Sequence, residues 1–218
     1  MSDLTLVIGN KNYSSWSLRP WLALKATGQP FREKLIVLRR PETKAEILLH
    51  SAAGKLPVLK HDDLTVWESL AICDYIAETW PEARLLPEDA RARAVARSVM
   101  SEMHAGFAAL RRELPMDIAK LSPAARQGVT PSEDARQDIA RVQQIWQDCR
   151  GRFGRDGEFL FGRFSLADAM YAPVATRFRS YGVALDPVSA AYVDAIYALP
   201  AMQDWCAAAA QEAPLPES

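Results

Sequence analysis

Residues 54–59 combine a glycine, a lysine and a proline in a pattern that suits the binding of a peptide-like ligand. The stretch is Gly54-Lys55-Leu56-Pro57-Val58-Leu59, and its proline stands at the start of a short apolar strand, where proline is tolerated. In a turn there, Leu56 is expected to be extended, with its N–H and C=O free to pair with a peptide as a neighbouring strand would. Lys55 adds a positive charge beside that edge.

Glu68 and Ser69 stand at the predicted start of a helix that runs over residues 69–80. A helix N-terminus has free N–H groups and the positive end of the helix dipole, so it favours a bound carboxylate. Together with residues 54–59, this position predicts a site with a peptide edge, a cation and an anion-binding end. An ordinary loop, hairpin and helix start is the alternative interpretation of the same residues.

Length and charge limit the class of protein. The chain has 218 residues and a formal net charge of -1, which allows one large domain or two small ones with a sizeable core. The near-zero charge gives no general attraction to nucleic acid or anionic membranes. No stretch approaches the roughly 20 apolar residues that a membrane-spanning helix needs, and no basic segment precedes the first apolar run, so no secretory signal is predicted.

The cysteines and histidines predict neither a disulfide framework nor a metal site. Cys73, Cys149 and Cys206 are widely spaced at apolar positions of predicted helices, a pattern typical of reduced, buried thiols in a cytoplasmic protein. It disfavours a cysteine-dependent mechanism. The three histidines are far apart and no CxxC pair occurs, so no metal site is expected.

The first 81 residues have the predicted order strand, helix, strand, helix, strand, strand, helix. The strand–helix–strand start predicts a right-handed βαβ unit with parallel strands, and the two short apolar runs further on predict a hairpin. The last helix ends before Pro81, which cannot continue it. The predicted strands are 4–8, 34–38, 57–60 and 64–67, and the predicted helices are 17–27, 41–50 and 69–80.

Beyond the proline-containing segment 82–90, which is interpreted as a linker, the apolar period is helical throughout. The predicted domains are therefore 1–81 and 91–218. Apolar residues repeat every three or four positions from Val95 to Leu114, which predicts one long helix. Ser165 and Asp168 form a predicted capping box at the start of another. Further helices are predicted at 135–149, 189–198 and 200–210, a loop at 122–132 and a frayed tail at 213–218.

This arrangement resembles the cytosolic glutathione transferases over essentially the whole chain. The resemblance implies an α/β thioredoxin-like N-terminal domain (βαβ–αββα) followed by an all-helical C-terminal domain. The serine loop, residues 14–19, is most similar to that of the zeta class, the maleylacetoacetate isomerases. The pattern of that class is Ser-Ser-Cys-Ser-x-Arg. Trp16 stands at the cysteine position of that pattern, which weakens the isomerase interpretation. The segments that carry the resemblance are Ser14-Ser15-Trp16-Ser17-Leu18-Arg19, Lys55-Leu56-Pro57-Val58-Leu59, Glu68-Ser69 and Ser165–Asp168.

The resemblance implies glutathione as co-substrate and assigns a part of the tripeptide to each motif. Leu56, before a cis-proline at Pro57, is expected to pair with the cysteinyl backbone. Glu68 is expected to meet the γ-glutamyl ammonium, and Ser69 the neighbouring α-carboxylate. Lys55 is expected to face the glycyl carboxylate, with His50 or Lys44 assisting.

A serine of the first loop is expected to activate the thiol by donating a hydrogen bond to its sulfur. The thiolate is the nucleophile, and a free cysteine thiol has a pKa of roughly 8.5, so a donor that stabilises the charged form raises its population at neutral pH. Ser14 is ranked narrowly ahead of Ser15, with Tyr13 as an alternative donor. Arg19 is expected to orient the loop or to form a structural ion pair.

The electrophile pocket is predicted between the serine loop and the first C-terminal helix. Its candidate residues are Trp16, Met103, His104, Phe107 and Arg111; in the alternative, Phe107 is core and the two polar residues are solvated or ion-paired. The predicted function is conjugation of glutathione to small electrophiles. A zeta-like cis–trans isomerase and a non-catalytic glutathione-binding protein are the alternatives. A cytoplasmic homodimer without metal, nucleic-acid or membrane partners is expected.

Overall fold

The computed structural model describes residues 3–119, 128–155, 157–213 and 215. Four strands form one mixed sheet in the order β2-β1-β3-β4. Strand β1 pairs in parallel with β2 and antiparallel with β3, and β3 pairs antiparallel with β4. The strands are β1 Leu4–Ile8, β2 Arg32–Leu35, β3 Val58–His61 and β4 Leu64–Trp67.

Helices α1, α2 and α3 alternate with these strands as in a thioredoxin-like domain, and the helices that follow form an all-helical second part. None of the described helices is long and apolar enough to cross a membrane. The predicted loop at 122–132 and the predicted tail lie largely outside the described residues. The helices are α1 Ser15–Thr27, α2 Thr43–Leu48, α3 Ser69–Thr79, α4 Ala90–Ala105, α5 Ala108–Glu113, α6 Glu133–Phe153, α7 Leu166–Tyr181, α8 Pro187–Ala198 and α9 Pro200–Gln211, with a 3₁₀ turn at Pro81–Ala83.

Helix α1 is buried on nearly all sides over its first two and a half turns. It packs against α3 of the first domain and against α7 and α9 of the second, so its apolar residues belong to one core shared by both halves. Gly28 ends the helix in the left-handed conformation with φ 71°, where glycine meets no steric penalty. The start of α1 is therefore held rigidly between the two domains.

The predicted second strand is shifted towards the C-terminus relative to the observed β2. Pairing with β1 joins Thr5 to Arg32 and Ile8 to Leu35, and β1 ends at that point. The buried Ile36 adds only one further bond, from its N–H to the oxygen of Ile8 at 2.9 Å. Of the apolar run that suggested residues 34–38, only Ile36 is buried, and the register with β1 sets where the strand is paired.

The single long helix predicted from Val95 to Leu114 is wrong. Helix α4 ends at Ala105, and α5 begins only after Phe107, which has a left-handed φ of 58°. A side chain at Gly106 would meet the backbone oxygen of Glu102 at 2.8 Å, so the break requires a glycine there. Burial of the Phe107 ring, 6% exposed, compensates its unusual backbone conformation. The apolar period continues across the break because both helices face the same core.

The predicted capping box at α7 is confirmed, and it is part of a larger buried network. The fully buried carboxylate of Asp168 accepts bonds from the Ser165 N–H and hydroxyl, both at 2.8 Å, and from the Leu160 N–H and Tyr192 hydroxyl, both at 3.1 Å. Burial outweighs these bonds and raises the pKa of Asp168 to about 6. The carboxylate thus joins the start of α7 to α8 and to the preceding loop.

Replacing Asp168 with asparagine is expected to lower the free energy of unfolding by about 2–4 kcal/mol, because one amide oxygen cannot accept four bonds and the amide N–H groups face donors. Chemical denaturation at pH 7 measures the change. Asp194→Asn is the control, because Asp194 forms only an exposed ion pair with Arg179 and should cost under about 1 kcal/mol. Equal losses in both variants would contradict a structural role for the network.

Candidate active site

A cavity of about 590 Å³ opens between the two domains, beside the start of α1. It brings together residues from the serine loop, the turn before β3, the junction of β4 with α3, and α4. Most of the predicted site residues are in its wall. The cavity is lined by Tyr13, Ser14, Trp16, Leu38, Ile47, Ala53, Lys55, Leu56, Pro57, Trp67, Glu68, Ser69 and His104.

The two candidate serines have different surroundings. Ser14 lines the cavity, and its Oγ lies 2.7 Å from the Oγ of Ser17. Ser15 points away from the cavity wall and accepts a hydrogen bond from the Nη2 of Arg177 at 3.3 Å. Of these two serines, only Ser14 lines the cavity.

Ser17 fixes the direction of the hydrogen bond that it shares with Ser14. The fully buried Ser17 Oγ accepts the N–H of Gly9 at 3.1 Å. Among the described residues the only remaining partner for the Ser17 proton is Ser14 Oγ, and a buried hydroxyl proton without an acceptor is costly. Ser17 therefore donates to Ser14, which leaves the proton of Ser14 free to point into the cavity.

The turn before β3 forms another part of the cavity wall. The Leu56–Pro57 peptide bond is cis, and the first ladder pair of β3 is formed by Val58. Leu56 thus precedes the paired part of the strand and lies at the cavity surface. The Nζ of Lys44 donates to the oxygen of Gly54 at 3.1 Å, so this lysine supports the turn.

The start of α3 leaves a buried hydroxyl without a partner. Ser69 is 1% exposed, and its Oγ forms no hydrogen bond with any described residue. Glu68 precedes it in a left-handed conformation with φ 67°, and α3 has no acidic side chain in its first turn. Because an unpaired buried hydroxyl costs about 1–3 kcal/mol, these groups fit a ligand carboxylate at the helix N-terminus.

His104 connects the anion-binding end of the cavity with Trp16. Its Nε2 lies 4.0 Å from a carboxylate oxygen of Glu68, and its ring packs edge-on against the indole at 5.3 Å between centroids. Burial lowers the pKa of His104, the charge of Arg19 lowers it further, and Glu68 acts in the opposite direction. The ring is thus neutral at pH 7.

Behind Trp16 lie three guanidinium groups. The Cζ atoms of Arg19 and Arg111 are 4.3 Å and 5.4 Å from the centroid of the Trp16 ring, and Arg177 bonds to the neighbouring Ser15. Burial, with the charge of Arg177 adding to it, lowers the pKa of Arg19 to about 9. The structural ion pair considered for Arg19 does not form with any described residue.

Three of the predicted pocket residues, Met103, Phe107 and Arg111, are not among the residues that line the cavity. Met103 is fully buried and Phe107 nearly so, both in the core. Arg111 reaches Trp16 but bonds to the main-chain oxygen of His104 at 3.1 Å. The break between α4 and α5 accounts for this arrangement, because His104, Phe107 and Arg111 do not share one continuous helical face.

Sequence reasoning missed Trp67 and Arg177. Trp67 is not among the predicted site residues, yet it is 51% exposed and lines the cavity. Its position directly before Glu68 was a usable signal, because the end of β4 leads into the start of α3. Arg177 lies more than a hundred residues from the serine loop and carried no sequence signal that related it to Ser15.

The thiols and potential metal ligands of the protein offer no second reactive centre. Burial raises the pKa of Cys73 and Cys149 to about 12 and that of Cys206 to about 11, which disfavours the reactive thiolate. Cys206 is only half-buried. In the described part of the chain, no group of three or more His, Cys, Asp or Glu side chains is placed to hold a metal ion.

Sequence comparisons connect this site to known proteins. Residues 13–79 match the family model of the glutathione S-transferase N-terminal domain. The maleylacetoacetate isomerase of Rattus norvegicus is 28% identical over 174 residues, which cover 79% of this chain and 77% of the relative. Glutathione S-transferase U13 of Arabidopsis thaliana is 39% identical over 101 residues, covering 44% of this chain and 43% of the relative.

Solved structures share the fold over almost the full length. A glutathione transferase homolog from Burkholderia with bound glutathione has a TM-score of 0.71 at 23% identity, covering 95% of this chain and 97% of the other. A bacterial zeta-class maleyl pyruvate isomerase has a TM-score of 0.72 at 22% identity, covering 95% and 98%. The fold shared with these structures is a thioredoxin-like N-terminal domain followed by a helical C-terminal domain. Residues 13–79 thus match a glutathione S-transferase N-terminal domain, and maleylacetoacetate isomerases are among the relatives of the chain.

Replacing Ser69 with alanine is expected to leave the free energy of unfolding of the unliganded protein unchanged or raise it by up to about 1 kcal/mol, because the substitution removes an unpaired buried hydroxyl. Ser165→Ala is the control and should lose about 0.5–2 kcal/mol, because Ser165 caps α7. Chemical denaturation without ligand measures both. A loss of more than about 1 kcal/mol in Ser69→Ala would mean that this hydroxyl is already satisfied in the free protein.

Proposed function

We propose that this protein is a serine-type glutathione S-transferase, in which Ser14 activates the glutathione thiol for attack on a small electrophile. The observation that carries the proposal is the 2.7 Å contact between Ser14 Oγ, at the cavity wall, and Ser17 Oγ, which accepts the N–H of Gly9. With Ser17 assigned as the donor in this contact, the proton of Ser14 is available to a ligand in the cavity. A hydroxyl donor beside the sulfur stabilises the thiolate and lowers the thiol pKa. The start of α1 adds a favourable dipole.

The rest of the cavity suits the remaining groups of glutathione. Leu56 would pair with the cysteinyl backbone, and Pro57 would hold that edge in place. Ser69 and the α3 N-terminus would bind the γ-glutamyl carboxylate, and Glu68 the adjacent ammonium. The unpartnered Oγ of Ser69 supports this orientation. Lys55, exposed at the rim, would face the glycyl carboxylate.

Once the tripeptide is bound, activation requires only a correctly placed donor. The thiol releases its proton to solvent, Ser14 stabilises the resulting thiolate by hydrogen bonding, and the sulfur forms a bond to the electrophilic carbon. An aryl halide then loses its halide ion to solvent, whereas an activated double bond takes up a proton from solvent at the neighbouring carbon. Ser14 keeps its own proton, so it needs no histidine or aspartate partner. The neutral His104 and the Trp16 ring would form the wall on which the electrophile rests.

Glutathione-dependent isomerisation is the second candidate. It is favoured by the maleylacetoacetate isomerase of Rattus norvegicus, which matches over three quarters of the chain. In that reaction the thiolate adds to the substrate and is later expelled, so the same serine is used. Assays with an aryl halide and with maleylacetoacetate separate the two activities, and a protein that binds glutathione but turns over neither substrate would be a binding protein.

Ser14→Ala is expected to reduce turnover about 100-fold, as loss of a donor to a developing anion does in other enzymes. Glutathione affinity should change little, and the pKa of the bound thiol should rise towards that of free cysteine. Stopped-flow absorbance of the thiolate across a pH series measures this directly. Ser15→Ala is the matched control with a smaller effect, and unchanged thiol titration in both variants would exclude a serine from activation.

Glu68→Ala is expected to weaken glutathione binding about 10- to 100-fold, because a charge-assisted bond to the ammonium is lost. Calorimetry with the purified protein gives the affinity. Glu78→Ala is the control, because Glu78 is exposed at the other end of α3 and should leave the affinity unchanged. Equal affinity of wild type and Glu68→Ala would remove Glu68 from the site.

We also infer that the protein is a cytoplasmic homodimer. The basis is the family resemblance together with exposed apolar side chains on the first domain, including Leu49 and Leu64, which would be available for contact with a second copy. Light scattering at micromolar concentration tests the dimer. A monomeric mass would contradict it.

A further inference from the structure

Trp16 lines the cavity and also packs against arginines that are not among the residues lining it. One side of the indole is part of the cavity wall, and the guanidinium groups of Arg19 and Arg111 pack against the same ring. Arg177 lies beside them through its bond to Ser15. These three residues are called the arginine cluster below.

The arginine cluster has charge and donors but lacks a carboxylate partner. Arg19 is 1% exposed and Arg177 is 4% exposed, and the Nε and Nη1 of Arg19 and the Nε of Arg177 are buried without a hydrogen-bond partner. No carboxylate of the described residues forms an ion pair with the cluster within 4.0 Å; Asp138, whose charge acts on Arg111, accepts the N–H of Leu110. Buried unpaired guanidinium groups are costly.

We propose that the arginine cluster is a carboxylate-binding subsite for the electrophile, and that Trp16 covers it and controls access from the cavity. The inference rests on the proposed function in taking the ligand to be the second substrate of the same cavity. A carboxylate offers two oxygens with about four acceptor positions, which suit the unpartnered Nε and Nη1 of Arg19 and the Nε of Arg177. The Nη1 and Nη2 of Arg177 already donate to the oxygen of Pro173 and to Ser15. The planar guanidinium fork is well suited to such bidentate binding.

The size of Trp16 sets the specificity of this subsite. An uncharged electrophile can rest on the indole without moving it, whereas a carboxylate must displace the ring from Arg19. The displacement loses a cation–π contact and gains a charge pair in a buried environment. A smaller side chain at this position would leave the arginine cluster open to the cavity.

Succinate is the probe, because it carries two carboxylates and has no electrophilic carbon, and succinamide is its uncharged match. Binding is measured by calorimetry on protein saturated with S-methylglutathione, which occupies the tripeptide site and cannot react. Wild type is expected to bind succinate and not succinamide. Trp16→Ala should bind succinate about tenfold more tightly, because the covering ring and its cation–π contact are gone.

The arginines provide a matched pair of variants. Arg111→Gln should weaken succinate binding about tenfold or more through loss of a charged partner. Arg112→Gln is the control, because Arg112 is exposed and pairs with Glu113, and it should bind as wild type does. Circular dichroism and retained binding of S-methylglutathione establish that each variant is folded.

Each result decides one part of the inference. Folded Trp16→Ala protein that binds S-methylglutathione but not succinate would overturn the subsite. Equal succinate affinities of wild type and Trp16→Ala would overturn the covering role of Trp16. Equal effects of Arg111→Gln and Arg112→Gln would show only a general charge effect and would also overturn the subsite. Failure of wild type to bind S-methylglutathione would instead contradict the proposed transferase function.

Discussion

The burial of α1 between the two domains is the constraint on which the site depends. Its apolar residues complete the core of the thioredoxin-like part on one side and pack against α7 on the other. The helix therefore cannot shift without opening both cores. Its first turn holds Ser17 against Gly9 and places Ser14 and Trp16 at the cavity wall. The packing of the two cores therefore fixes the positions of the Ser14 hydroxyl and the Trp16 ring.

The polar groups of the Asp168 network differ from those beside the cavity in their hydrogen bonding. The Asp168 network has all its donors and acceptors in contact and joins helices far from the cavity. Ser69 Oγ and two nitrogens of Arg19, by contrast, are buried without partners. A folded protein keeps such groups only where other interactions outweigh their cost. Both lie at or directly behind the cavity wall, where a charged ligand would complete them.

Local motifs made much of the fold and the glutathione-facing wall predictable. The turn at Leu56 and the α3 start at Ser69 depend on residues adjacent in sequence, so their types suffice to predict them. The break at Phe107 could not be predicted from apolar spacing, because both helices present the same period to one core. The position of Arg177 beside Ser15 is likewise set by the packing of α7 on α1, which residue spacing does not describe.

The central claim is that Ser14, oriented by Ser17, donates a hydrogen bond to the sulfur of bound glutathione. A crystal structure of the complex with glutathione tests it most directly. The account predicts the sulfur within hydrogen-bond distance of Ser14 Oγ, with the Ser14–Ser17 contact retained and the γ-glutamyl carboxylate on Ser69. A sulfur bonded instead to Tyr13 or Ser15, or a tripeptide bound away from the α3 N-terminus, would contradict it.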